Sequence, residues 1–104
     1  MRKYLLHVLI ISFVFLLTPI VPVASYAGEI ETYKQEAEKN PDDAEAHYNL
    51  GYAYYNLGKY KEAIESYKQA IRIDPDHADA HFYLGLAYGK SGMYEEAIES
   101  FSRQ

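Results

Sequence analysis

Two histidines four residues apart, His77 and His81, stand among Asp74, Asp76 and Asp79 in the stretch "DPDHADAH". On a helix that spacing can turn two imidazoles to one side, the arrangement a metal ion asks for. The neighbours weigh against it. His77 falls where a helix would start, and His81 repeats a position already held by His47, which makes it a packing residue between helices. No third ligand is fixed by spacing, so no metal site and no cofactor is expected. The chain also has no cysteine, which removes thiol nucleophiles, disulfides and thiolate metal sites. No Ser/His/Asp order, glycine-rich phosphate loop or carboxylate pair with catalytic context appears, so the chain is read as a non-enzyme.

What remains is an aromatic row. Tyr48, Tyr52 and Tyr55 recur at helical spacing, and Phe82 and Leu86 take up the same phase further on. More apolar surface lies on that stripe than a solvated helix face needs, which is the mark of a contact surface for another molecule.

The elements that carry the row are written twice. "HYNLGYAYYNLGKYKEAIES" at 47–66 returns as "HFYLGLAYGKSGMYEEAIES" at 81–100. The offset that carries His47 onto His81 also carries Gly58 onto Gly92 and Tyr60 onto Tyr94, and 14 of the 27 positions in 44–70 and 78–104 are identical. Self-similarity at this period points to stacked helical units rather than one closed core. Within a unit, Leu50, Ala53, Tyr54 and Leu57 share one helix face. Gly58 then ends the helix as its left-handed residue, and Tyr60, Ala63, Ile64, Tyr67, Ala70 and Ile71 stripe a second helix. Asp74-Pro75-Asp76 stops it, because the residue before a proline is pushed out of the helical region. Asp42 and Asp76 are expected to cap the helices that follow them, whereas Lys59 and Met93 are poor caps. Gly51 and Gly85 are costly inside helices, so they are expected to meet Ala63 and Ala97 where the paired helices cross.

Leu50, Gly51, Tyr54, Ala63, Tyr67, Ala70 and Pro75, repeated as Leu84, Gly85, Tyr88, Ala97 and Phe101, resemble the tetratricopeptide repeat. His47 and His81 stand where the family usually has tryptophan. The resemblance implies an all-α, right-handed solenoid of antiparallel helix pairs, with a repeat at 44–77 and a truncated one at 78–104. Tyr33 and Pro41 extend the register backwards, making 28–43 a leading helix or partial repeat. It further implies a concave groove lined by first helices, here carrying Tyr48, Tyr52, Tyr55, Asn56, Phe82, Leu86 and Lys90, that holds a protein or peptide segment. Chaperone-binding members grip a carboxylate with lysine and asparagine. Tyr48 and Tyr52 stand in those places, so that clamp is not expected.

The front of the chain is separate. Arg2 and Lys3 precede an apolar run from Tyr4 to Leu17, then Pro19, Pro22 and the small-residue site Ser25-Tyr26-Ala27. That order describes a secretory signal peptide, residues 1–27, and a protein acting in the periplasm or outside the cell. The rival is a membrane anchor left uncleaved, on a structural subunit that assembles with its own copies. All 15 carboxylates lie from Glu29 onward, against 8 Lys and Arg after Lys3, which repels a phosphate backbone and excludes nucleic acid. Membrane contact is expected only if the front segment is retained. The last helix has no capping partner, which leaves room for self-association there, or for a longer array leading to an enzymatic domain.

Overall fold

The computed structural model describes residues 23–103, and side chains from residue 27. The expected signal segment therefore lies mostly outside the described residues. Five helices follow one another: α1 (Val23–Lys39), α2 (Ala44–Asn56), α3 (Tyr60–Ile73), α4 (Ala78–Lys90) and α5 (Tyr94–Ser102). Ser25-Tyr26-Ala27 falls inside α1. Among the described residues no helix is long and apolar enough to cross a membrane.

Glycine closes the first helix of each pair. Gly58 has φ +74° and Gly92 φ +79°, a conformation that costs other residues about 1 kcal/mol. The reversal lets the Lys59 N–H donate to the Tyr54 carbonyl at 2.9 Å and the Gly58 N–H to that of Tyr55 at 3.0 Å. Met93 to Tyr88 (2.8 Å) and Gly92 to Gly89 (3.1 Å) repeat the bonds at the equivalent turn of the next unit. Two carbonyls of the last helical turn accept these bonds at each turn. The chain reverses within this short turn, and α2/α3 and α4/α5 fold back as hairpins.

Helix starts differ in quality. Asp43, rather than Asp42, caps α2, its carboxylate accepting from the Glu45 N–H at 3.0 Å. His77, rather than Asp76, caps α4, its Nδ1 accepting from the Ala80 N–H at 3.1 Å. The Asp74 side chain instead accepts from the Asp76 N–H within the turn. Lys59 and Met93 make no side-chain cap bond, as expected of them.

The core runs through α3, α4 and α5: Ala63, Ile64, Tyr67, Leu84, Ala87, Tyr88 and Ala97 are buried together. Ala70 and Ala80 are also fully buried, and α1 adds Ile30 and Ala37. The helix crossings correct one expectation. The group pressed onto Gly51 is the ring of Tyr67, not Ala63: a Cβ there would sit 2.7 Å from Tyr67 Cε1. At Gly85 it would sit 2.6 Å from Phe101 Cε1. Each unit thus lays the aromatic ring of its second helix over the glycine of its first, and the alanines make room beside it.

Candidate functional site

α2 and α4 lie side by side, each across from its own second helix, and the aromatic row forms where they meet. Tyr83 is its hub. Its ring is edge-on to Tyr52 at 5.2 Å, to Tyr55 at 5.8 Å and to Phe82 at 5.4 Å, and it lies 6.0 Å from Tyr48. These are favourable aromatic geometries. Tyr67 supplies the floor from α3, stacked on Tyr83 at 6.2 Å and tilted against Tyr48 at 5.9 Å. Tyr52 keeps 41% of its surface exposed and Phe82 39%, while Tyr48, Tyr55, Tyr83 and Leu86 are half-buried. Asn56 and Lys90 are exposed in the last turns of α2 and α4.

The repeat-signature residues take the other sides of these helices. Gly51, Ala63, Tyr67, Ala70, Leu84, Gly85, Tyr88 and Ala97 are buried; Leu50 and Tyr54 are half-buried. Pro75 sits in the turn before α4, and Phe101, on the last helix, is exposed.

Tyr83 escaped the sequence reading because its counterpart in the preceding unit is Asn49, so it belongs to no repeated pattern. The remaining signal was its aromatic type, beside Phe82.

Burial governs the phenols. Tyr48 is pushed up to about 12, first by loss of water and then by the carboxylate of Asp79, with Tyr83, Glu45 and Tyr52 adding to it. Tyr67, fully enclosed, is pushed further up, by burial and then by the phenols of Tyr48, Tyr83, Tyr55 and Tyr52. Tyr83 moves up as well, through burial and the adjacent Tyr52. The Tyr67 hydroxyl has no hydrogen-bond partner among the described residues, a state that costs about 1–3 kcal/mol for a buried polar group. The face therefore stays neutral on its rings through ordinary pH.

The histidines divide their labour. Because His77 Nδ1 accepts from Ala80, its Nε2 carries the proton and donates to Glu45 Oε2 at 3.0 Å. The ring lies 5.0 Å from that of Tyr48. His81 Nε2 donates instead to the Pro75 carbonyl at 2.7 Å, and His47 Nε2 to that of Pro41 at 3.0 Å. Both latch a helix back to the turn before it, and His81 is buried as well, as a packing residue would be. No group of three or more His, Asp or Glu placed to hold a metal occurs among the described residues.

Helix pairs joined by glycine turns and stacked at a fixed period define a helical-repeat scaffold, whose working surface is a face rather than a cleft. Two family models place it more narrowly: a "TPR repeat" model matches residues 51–92 and a "Tetratricopeptide repeat" model residues 32–65. The chain belongs to the tetratricopeptide repeat family. Among solved structures it is similar to MamA of strain MSR-1, with 32% identity and a TM-score of 0.72 over 78% of this chain and 47% of that one. MamA from Desulfovibrio magneticus RS-1 is similar at 26% identity and 0.73, over 78% and 46%. The second repeat domain of Spaghetti (RPAP3), solved with the HSP90 peptide SRMEEVD, is similar at 29% identity and 0.73, over 75% and 72%. The chain spans about half the length of the MamA chains it matches. Comparison with the curated proteins returns no match.

Proposed function

We propose that this chain is a non-catalytic binding module that seats a segment of another protein on the aromatic face of α2 and α4. The carrying observation is that Tyr52 remains 41% exposed although α4 packs beside it through Tyr83, with Phe82 open next to them. Burying such rings is what drives association at a protein interface. Tyr48, Tyr55 and Leu86 would extend the apolar contact, with Asn56 and Lys90 at its rim. The solved complex of RPAP3 with its peptide supports the general mode. Replacing Tyr52 and Leu86 together by alanine is expected to abolish capture of peptides selected from a display library, with the helical circular dichroism unchanged. Capture that persists would move the site to another face.

The order of the segment ending at Ala27 supports export, with action in the periplasm or outside the cell and a mature chain starting at Gly28. Mass measurement of the mature amino terminus tests this, and an intact Met1 in membranes would favour the anchored alternative. A second contact is supported by α5, where Tyr94, Ile98 and Phe101 lie exposed on one helix: copies of the chain associate there. Sedimentation across a concentration series, with Ile98→Glu as the control, decides it.

A further inference from the structure

The aromatic face carries a charge pattern that narrows its partner. Glu45 and Asp79 occupy equivalent places in the first turns of α2 and α4. Both are exposed, and both act on the Tyr48 phenol, so their negative potential reaches the rings. His77 does not offset them. With Nδ1 accepting from Ala80 and Nε2–H donating to one oxygen of Glu45, its imidazole is neutral, and the second Glu45 oxygen is left over. The cation of this face, Lys90, stands at the opposite end of α4 from Asp79, about 16 Å along the helix at ~1.5 Å per residue. The rings add their own polarity, because the π faces of Tyr52 and Phe82 are electron-rich and attract cations. Beneath them the buried Tyr67 hydroxyl, lying among the phenols of Tyr48 and Tyr83, has no hydrogen-bond partner among the described residues.

We propose that the face takes a lysine- or arginine-bearing segment of a partner protein, its cation over the Tyr52 and Tyr83 rings and directed toward Asp79 and Glu45. Apolar residues flanking the cation cover Phe82 and Leu86. This rests on the aromatic face being the binding surface, and it adds the chemistry of the occupant. An acidic segment such as the SRMEEVD peptide held by RPAP3 would bring carboxylates against two carboxylates.

The test uses three fluorescein-labelled decapeptides that alternate leucine with lysine, glutamate or glutamine, titrated into the full chain and followed by anisotropy. The lysine peptide is expected to bind about tenfold more tightly than the other two, the aromatic rings and the two carboxylates each supplying part of it. Glu45→Gln with Asp79→Asn cuts that preference to about threefold, the part the rings hold alone, and leaves the glutamine peptide unmoved. Glu62→Gln with Glu65→Gln, which removes the same two negative charges from exposed positions of α3, leaves the preference intact. Equal losses in both double variants would mean long-range attraction only, and would overturn the proposal. Tighter binding of the glutamate peptide, still abolished by Tyr52→Ala, overturns the charge class while the binding face stands. No binding by any peptide, or binding indifferent to Tyr52→Ala, overturns the face and the proposal together.

Discussion

Helices α3 and α5 are written in nearly the same letters, yet Ile64 is 8% exposed and Ile98 69%, while Tyr67 is fully buried and Phe101 39% exposed. The difference is not in their sequences. Leu84, Ala87 and Tyr88 of α4 pack onto α3 from the side away from α2, and no described helix covers the corresponding side of α5. In a stack, each unit's burial is completed by its neighbour, so exposure on α5 records its place in the order. On the aromatic face Tyr52 of α2 differs in kind, because it stays open with α4 packed beside it. Exposed apolar surface therefore carries two meanings in one small molecule, and comparison between repeats separates them.

Paired substitutions can break that reading. The largest contrast is expected at the rings over the glycines. Tyr67→Ala should cost about 4 kcal/mol, the usual loss for a buried aromatic, and Phe101→Ala about 1 kcal/mol, since it loses mainly partial burial. Urea denaturation of both variants measures the gap, and equal losses would refute the positional account. Next come the isoleucines: Ile64→Ala is expected to cost about 3 kcal/mol and Ile98→Ala no more than about 0.5 kcal/mol.

Gly51 and Gly85 sharpen the comparison through opposite signs. Alanine in a helix gains about 1 kcal/mol over glycine. At Gly51 the new methyl runs into an enclosed Tyr67 ring, and overpacking of about 2–3 kcal/mol outweighs the gain. At Gly85 the crowded group is Phe101, which can swing outward, so Gly85→Ala should be neutral or slightly stabilising. A melting temperature that falls equally for both would show that α5 is held as tightly as α3.

The remaining contrast is alkaline. Tyr48 in the folded chain titrates at about 12 against 10.0 for the free side chain, and Tyr67 and Tyr83 move the same way. The unfolded chain therefore loses these protons first. The stability they contribute is complete below pH 10 and is lost as the pH rises from there through 12. Denaturation midpoints should be flat to about pH 9.5 and then fall, and Tyr48→Phe should shallow that fall.

Much of this fold is legible in one dimension because its determinants are local. The doubled helix-pair text, the left-handed glycines Gly58 and Gly92 and the weak starts at Lys59 and Met93 each depend on short stretches of chain. The ring over each glycine instead joins two different helices, and spacing alone could not choose between Tyr67 and Ala63 as the partner of Gly51. Consecutive polar residues at Asp42-Asp43 and Asp76-His77 left the cap ambiguous by one position, and backbone geometry selected the later residue each time. Tyr48, Tyr52 and Phe82 were readable as a stripe. Tyr83, which joins them, was hidden because repeat logic discards what is written only once, and the Tyr67 floor was read as repeat signature alone.

The central claim is that the partner lies on the phenolic face between α2 and α4. Nuclear magnetic resonance of the full chain, titrated with the lysine decapeptide, tests it most directly. Signals of Tyr48, Tyr52, Tyr83 and Leu86 should shift together and saturate with the anisotropy curve, while Tyr94 and Ile98 stay still. Shifts confined to Tyr94, Ile98 and Phe101, with the tyrosines of α2 unmoved, would contradict it.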